Sequence, residues 1–113
     1  IEQKLTTAMS KDKAYLESQL SIQDLAERIH APLHHVSQVL NERLNKNFYD
    51  FVNEHRVAEA RTQLLDPKKS HYTVLAIGLD AGFNSKTTFN TVFKKYTGMT
   101  PTEFRKNSKQ LQR

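Results

Sequence analysis

The sequence contains no cysteine. Disulfides and thiolate metal sites are therefore excluded, and a reducing compartment is allowed without being required. Glycine and proline are scarce, three of each in 113 residues, and no stretch sustains the alternation of a half-buried strand. No apolar run approaches the roughly 18 residues that span a bilayer, no signal peptide is visible, and no amphipathic stretch keeps an exposed apolar face for a membrane surface. There is no glycine-rich phosphate loop, and no pair of acids survives a helical reading as a catalytic arrangement, so an enzyme is not expected. The five histidines, His30, His34, His35, His55 and His71, lack the spacing of a metal site. The adjacent pair His34 and His35 point about 100° apart on a helix. Neither a metal nor a cofactor is expected.

Acidic residues are also in short supply. Twelve Asp and Glu against seventeen Lys and Arg leave a formal charge of +5 and a pI of about 9.6, which suits a polyanionic partner. A chain of this length holds one ordinary domain or two very small ones, and each half alone would bury only a modest core. The halves are expected to lean on a shared element. The first residue is Ile1 rather than Met, which suggests a piece of a longer protein with a sensor or dimerisation part before it.

What is present reads as helix almost throughout. The opening stretch, 1–17, places Leu5, Met9 and Leu16 on an inner face, joined by Tyr15, and its Lys11-Asp12-Lys13 cluster suits a solvated face or a turn. Ser21-Ile22-Gln23-Asp24 has the form of a capping box, with Asp in place of the usual Glu or Gln. The helix it opens turns Leu25, Ala26 and Ile29 inward. Pro32 suits the first turn of the next helix, which runs to about Leu44 with Val36, Val39 and Leu40 inward. Asn45 can end it with positive φ. A longer helix follows at about Phe48–Leu65, closed by Asp66-Pro67, with Phe48, Phe51, Val52, Ala60, Leu64 and Leu65 as its apolar positions. After a polar linker at 67–72, Thr73 caps a short helix, Gly82 supplies a turn, and Ser85 caps a further helix with Phe89, Val92, Phe93 and Tyr96 inward. Gly98 ends that helix. Thr100–Glu103 opens a last short helix that docks Phe104, followed by a frayed basic tail carrying Arg105, Lys106, Lys109 and Arg113.

The pattern repeats. Leu25 and Ile77 correspond at a separation of 52 residues, whereas Val36 and Phe89, Val39 and Val92, Leu40 and Phe93, and Phe51 and Phe104 correspond at 53. The second copy therefore has one extra residue in or near its turn. Each copy is a short helix, a turn and a second helix, the form of a helix-turn-helix, in which the second helix enters the major groove. The outward faces of the two second helices carry hydrogen-bonding side chains at the required spacing: His34, Ser37, Gln38 and Asn41 in the first, Lys86, Thr87, Asn90, Thr91 and Lys94 in the second. Gln and Asn can pair bidentately with adenine, Lys can donate to guanine, and Thr can offer a methyl to thymine. Arg43, Lys46, Lys94 and Lys95 lie further along and suit phosphates. A polar helix face can also be merely solvated, and helix-turn-helix folds can bind proteins instead of DNA. The basic charge and the matched polar faces favour DNA. Phe83, Phe89, Phe93 and Phe104 read as core.

At Ala81-Gly82-Phe83, Phe89, Val92-Phe93-Lys94-Lys95, Gly98-Met99-Thr100-Pro101 and Phe104-Arg105, with Asp24-Leu25-Ala26 and 53–60 (NEHRVAEA) in the first half, the chain resembles the DNA-binding domain of the AraC/XylS family of bacterial transcription regulators. The resemblance covers about 16–106. It implies an all-α, homeodomain-like fold of seven helices. Residues 1–46 would form a first helix-turn-helix subdomain, 47–66 a central linker helix, and 67–113 a second subdomain with its basic tail. It implies sequence-specific binding of double-stranded DNA, with both reading helices on one DNA face in successive major grooves about 34 Å apart. By position, the base-contacting residues would be His34, Ser37, Gln38, Lys86, Thr87, Asn90 and Thr91, and Arg56 would be structural or touch phosphate. The family also implies a cytoplasmic domain, an N-terminal sensor or dimerisation part in the parent chain, and RNA polymerase as a partner, without assigning residues to either. Three positions depart from the family pattern. Gly78 stands where Ala is usual, at a close helix crossing. Asn45 replaces a Gly. His30-Ala31-Pro32 forms an unusual first turn.

Overall fold

A computed structural model describes residues 1–111, with side chains to residue 108. Among the described residues there are seven α-helices, two short 3-10 turns and no strand. The helices are α1 (Glu2–Ser10), α2 (Ile22–Arg28), α3 (Leu33–Glu42), α4 (Phe48–Leu65), α5 (Val74–Asp80), α6 (Lys86–Thr97) and α7 (Pro101–Leu111). The 3-10 turns are Ala14–Leu16 and Pro67–Lys69. No described helix is long and apolar enough to cross a membrane. The chain divides into two compact units, Ile1–His55 and Arg56–Arg113.

Unit one closes around Leu5 and Met9 of α1, Leu25, Ala26 and Ile29 from α2 and its end, Val36 and Leu40 of α3, and Phe51 and Val52 of α4. Unit two closes around Val57, Ala60 and Leu64 of α4, Ile77, Ala81 and Phe83, and Phe89 and Phe93 of α6, with Phe104 of α7 packed against them. Its aromatic rings form a chain: Phe83 to Phe89 at 5.0 Å, Phe89 to Phe93 at 5.7 Å, Phe93 to Phe104 at 5.4 Å between centroids. Burying each such ring is worth about 1.5–3 kcal/mol. That chain supplies much of what holds so small a unit together.

The helix starts are held by the side chains that the sequence marks. Ser21 Oγ accepts from Asp24 N–H at 3.0 Å and Asp24 Oδ2 accepts from Ser21 N–H at 3.1 Å, a complete capping box. Thr73 caps α5 at Ala76 N–H (3.0 Å) and Ser85 caps α6 at Thr88 N–H (3.1 Å). Thr100 and Glu103 form a second reciprocal box at the start of α7.

Several expectations are corrected. In the opening stretch α1 stops at Ser10, the Lys11-Asp12-Lys13 cluster takes the turn rather than a helical face, and Lys13 has φ +50 before a 3-10 turn. This reversal buries Ala14 and Tyr15 and leaves Leu16 exposed. Pro32 is the N-cap of α3, just ahead of its first turn, and α3 ends at Glu42, short of Leu44. Leu65 and Tyr96 are exposed rather than inward, each at the end of its helix. The last helix is not short: α7 continues through the basic stretch to Leu111. The side chain of Lys109 and all of Arg113 lie outside the described residues.

Candidate nucleic-acid interface

The two turns between short helix and reading helix are built alike. In unit two, Gly82 has φ +106. Its N–H donates to Leu79 O at 3.1 Å, and the next N–H, of Phe83, donates to Gly78 O at 3.1 Å. In unit one, His30 has φ +55. Its N–H donates to Glu27 O at 3.2 Å, and Ala31 N–H donates to Ala26 O at 3.0 Å. The same two hydrogen bonds therefore close both turns, 52 residues apart, and His30 occupies the left-handed place that Gly82 fills more easily. A left-handed histidine costs about 1 kcal/mol or more, so the unusual His30-Ala31-Pro32 turn keeps the geometry at some loss of stability. The extra residue of the second copy is Asn84, just before the Ser85 cap. The far ends match as well: Asn45 (φ +55) and Gly98 (φ +82) follow the two reading helices.

On α3, His34 and Gln38 are exposed and Ser37 is half-buried. With Asn41 they share an arc of about 100° at roughly 100° per residue, opposite the buried Val36 and Leu40. The His34 and His35 rings meet edge to face at 4.2 Å. No group of three or more His, Cys, Asp or Glu that could hold a metal ion occurs among the described residues. Gln38 Nε2 donates to Glu42 Oε2 at 3.3 Å. On α6, Lys86, Thr87, Thr91 and Lys94 are exposed and Asn90 half-buried. They share one broad arc of about 140° at roughly 100° per residue, with Thr87, Thr91 and Lys94 well away from Phe89 and Phe93 and Lys86 at its edge. Lys86 is the first residue of α6, where a cation opposes the helix dipole. Lys94 and Lys95 lie in the last turn, where the dipole favours them.

The residues assigned to phosphates are spread differently. Arg43, at the end of α3, lies on the opposite side of the helix from His34, with its guanidinium 3.5 Å from Glu2. Lys46 is ion-paired with Glu54 at 2.7 Å. Lys95 lies over the Tyr96 ring at 5.8 Å. Arg56 is half-buried on α4, and burial lowers its pKa. His55 stacks on Tyr15 at 5.6 Å and meets Phe51 edge-on at 5.2 Å. Burial holds its pKa below the usual imidazole value, opposed by Glu54 and assisted by Lys46.

Two features escape a reading of the residues in order. Glu42 stands beside Gln38 on the exposed side of α3, and only its i,i+4 spacing from Gln38 hints at the contact. Arg105 is not a tail residue: Nη1 donates to Tyr72 O at 2.6 Å and Nη2 to Lys69 O at 3.0 Å. Both carbonyls lie in the segment leading to α5, too distant in sequence for local pattern to reveal.

A family model described as a helix-turn-helix domain matches residues 25–107. The chain belongs to the AraC-type helix-turn-helix family. This AraC-type chain is 32% identical over 91 residues to the melibiose operon regulatory protein of Escherichia coli K12, a match covering 80% of this chain and 29% of that protein. It thus spans less than a third of the length of that regulator. Among solved structures it is similar to a transcriptional regulator with an AraC-type DNA-binding domain from Chromobacterium violaceum, at 27% identity and a TM-score of 0.78, covering 95% of this chain and 93% of that one. The DNA-binding domain of AdpA, solved with a target DNA, shares the fold at 20% identity and a TM-score of 0.75, covering 94% and 89%. The AraC-type family is one of transcription regulators, not of enzymes.

Proposed function

We propose that this chain is the DNA-binding part of a bacterial transcription regulator, reading duplex DNA with α3 and α6 in major grooves. The observation that carries this reading is the duplicated turn: the same pair of hydrogen bonds sets each reading helix with a polar face outward. His34, Ser37 and Gln38 on α3, and Lys86, Thr87, Asn90 and Thr91 on α6, contact base edges. Arg43, Lys46, Lys94 and Lys95 contact phosphates. For Arg43 and Lys46 this means exchanging Glu2 and Glu54 for phosphate, a small sacrifice because surface ion pairs are worth about 0–1 kcal/mol. In this reading residues 1–46 and 67–113 are the two readers and 47–66 connects them. This domain works in the cytoplasm, and the parent protein, which could itself be membrane-linked, adds an N-terminal sensing or dimerising part and engages RNA polymerase.

A second reading, a module for binding protein, is favoured by Leu75 and Leu79, exposed one turn apart on α5. Salt separates the two. Binding to duplex DNA weakens steeply with salt, by a factor set by the phosphates neutralised, whereas an apolar contact does not. The test of base reading is Lys86→Ala combined with Asn90→Ala. It should weaken binding to a selected site by at least about tenfold while lowering random-duplex binding much less. Equal loss on both would refute the assignment of these side chains to bases.

A further inference from the structure

Glutamine is an ambiguous reader. Its amide offers a donor on one side and an acceptor on the other, and turning it over exchanges them. Gln38 is not free to turn. Its Nε2 donates to Glu42 Oε2 at 3.3 Å, one helical turn further along α3, with both side chains exposed. A carboxylate only accepts. The turned-over amide would set Oε1 against Oε2, two acceptors face to face. Glu42 therefore holds Nε2 toward itself, taking one of its two N–H groups, and leaves Oε1 and the second N–H beside it as what Gln38 presents.

A second observation points the same way. Glu42 is the sole acid of α3. At the last residue of the helix it opposes the dipole, and beside DNA it repels phosphate. Neither helix stability nor general affinity explains an acid there. Specificity does. In the major groove adenine and cytosine present an amino donor, whereas guanine presents N7 and O6 and thymine O4, all acceptors. A fixed Oε1 with the remaining N–H beside it matches the N6 amino group and N7 of adenine, and Oε1 accepts from the cytosine amino group, whereas against guanine or thymine Oε1 and the neighbouring carboxylate face an acceptor and only that one N–H can donate.

We propose that Glu42 is a specificity-determining residue, which orients Gln38 to accept adenine or cytosine and to reject guanine and thymine at the base it faces. The proposal rests on the reading of α3 as a DNA-reading helix. It works by excluding wrong bases, so removing the acid should loosen selection without weakening the protein's hold on DNA.

The test starts from duplexes selected by the wild-type protein out of a random pool. The position read by Gln38 is the one whose preference Gln38→Ala flattens. Wild type and Glu42→Ala are then titrated against four duplexes that differ only at that position. The wild type should prefer adenine or cytosine by about tenfold or more. Glu42→Ala should narrow this to about threefold or less, by gaining affinity for guanine and thymine, and should bind random duplex at least as tightly. Glu42 is exposed at a helix end, so the variant should melt no lower than wild type, and loss of fold will not mimic the result. An unchanged preference in Glu42→Ala overturns the proposal, as does a wild-type preference for guanine or a site in which Gln38→Ala flattens nothing. If the wild type selects no sequence at all, the DNA reading itself fails and the proposal falls with it. Selection that survives both substitutions overturns only the Glu42 assignment.

Discussion

A methyl group at position 78 would collide with the ring of Phe89: a Cβ there falls 2.6 Å from Cε2 and 2.7 Å from Cγ. Glycine in a helix costs about 1 kcal/mol against alanine, yet here it lets the central ring of the unit-two core lie directly on α5. Gly78→Ala should therefore destabilise by about 1–3 kcal/mol despite its better helix propensity, because an aromatic ring in a packed core cannot yield cheaply. Urea unfolding measures this, and a more stable variant would show that Phe89 has room to move. In unit one the residue to test is His55. Its ring lies against Tyr15 and Phe51, with Glu54 and Lys46 as its charged neighbours, and burial depresses its pKa. The unfolded chain then takes up a proton near pH 6.5, before the folded one does. Stability is therefore undiminished above about pH 6.5 and falls as pH drops below it, levelling once the folded-state pKa is passed. Unfolding measured between pH 7.5 and 5 should show this fall in the wild type and less of it in His55→Asn. Equal slopes would remove His55 from the account.

Between elements, the Arg105 contact decides how α5 is approached. One guanidinium spans the carbonyls of Lys69 and Tyr72, and a planar fork with two donors suits that task where an ammonium does not. Arg105→Ala should lower the stability of unit two by about 1 kcal/mol, since one part-buried and one exposed carbonyl lose their charged donor. Arg105→Lys should recover only part of it. Full recovery by lysine would mean that charge, not the fork, matters. The same contact shows where sequence stops being legible. Capping boxes at Ser21 and Thr100, the caps Thr73 and Ser85, and the left-handed residues Asn45, Gly82 and Gly98 are readable because each is a local interaction within a few residues. The break after α1 is legible only in the turn that Lys11-Asp12-Lys13 allows, since Lys13 carries no mark of a left-handed residue. The persistence of α7 is hidden for a different reason: Arg105 is held by partners 33 and 36 residues away. The amphipathic faces of α3 and α6 are legible from period alone. The hold of Glu42 on Gln38 depends on a side-chain geometry that period does not give.

At the scale of the chain, two units carry the same turn and unequal charge. The reading face of α6 includes Lys86 and Lys94, whereas that of α3 offers His34, Ser37, Gln38 and Asn41. Unit two is thus suited to supply more of the attraction to DNA, and unit one more of the neutral hydrogen-bond discrimination. Lys86 stands at the wrong end of its helix for stability, as expected of a side chain kept for a ligand. The account's central claim is that both units read sequence. Selection of sites from a random duplex pool at moderate salt tests it most directly, run with the wild type and with variants altered in one reading helix at a time. The account predicts two short motifs, one erased by Ser37→Ala with Gln38→Ala and the other by Lys86→Ala with Asn90→Ala. A single motif, insensitive to the α3 substitutions, would contradict it.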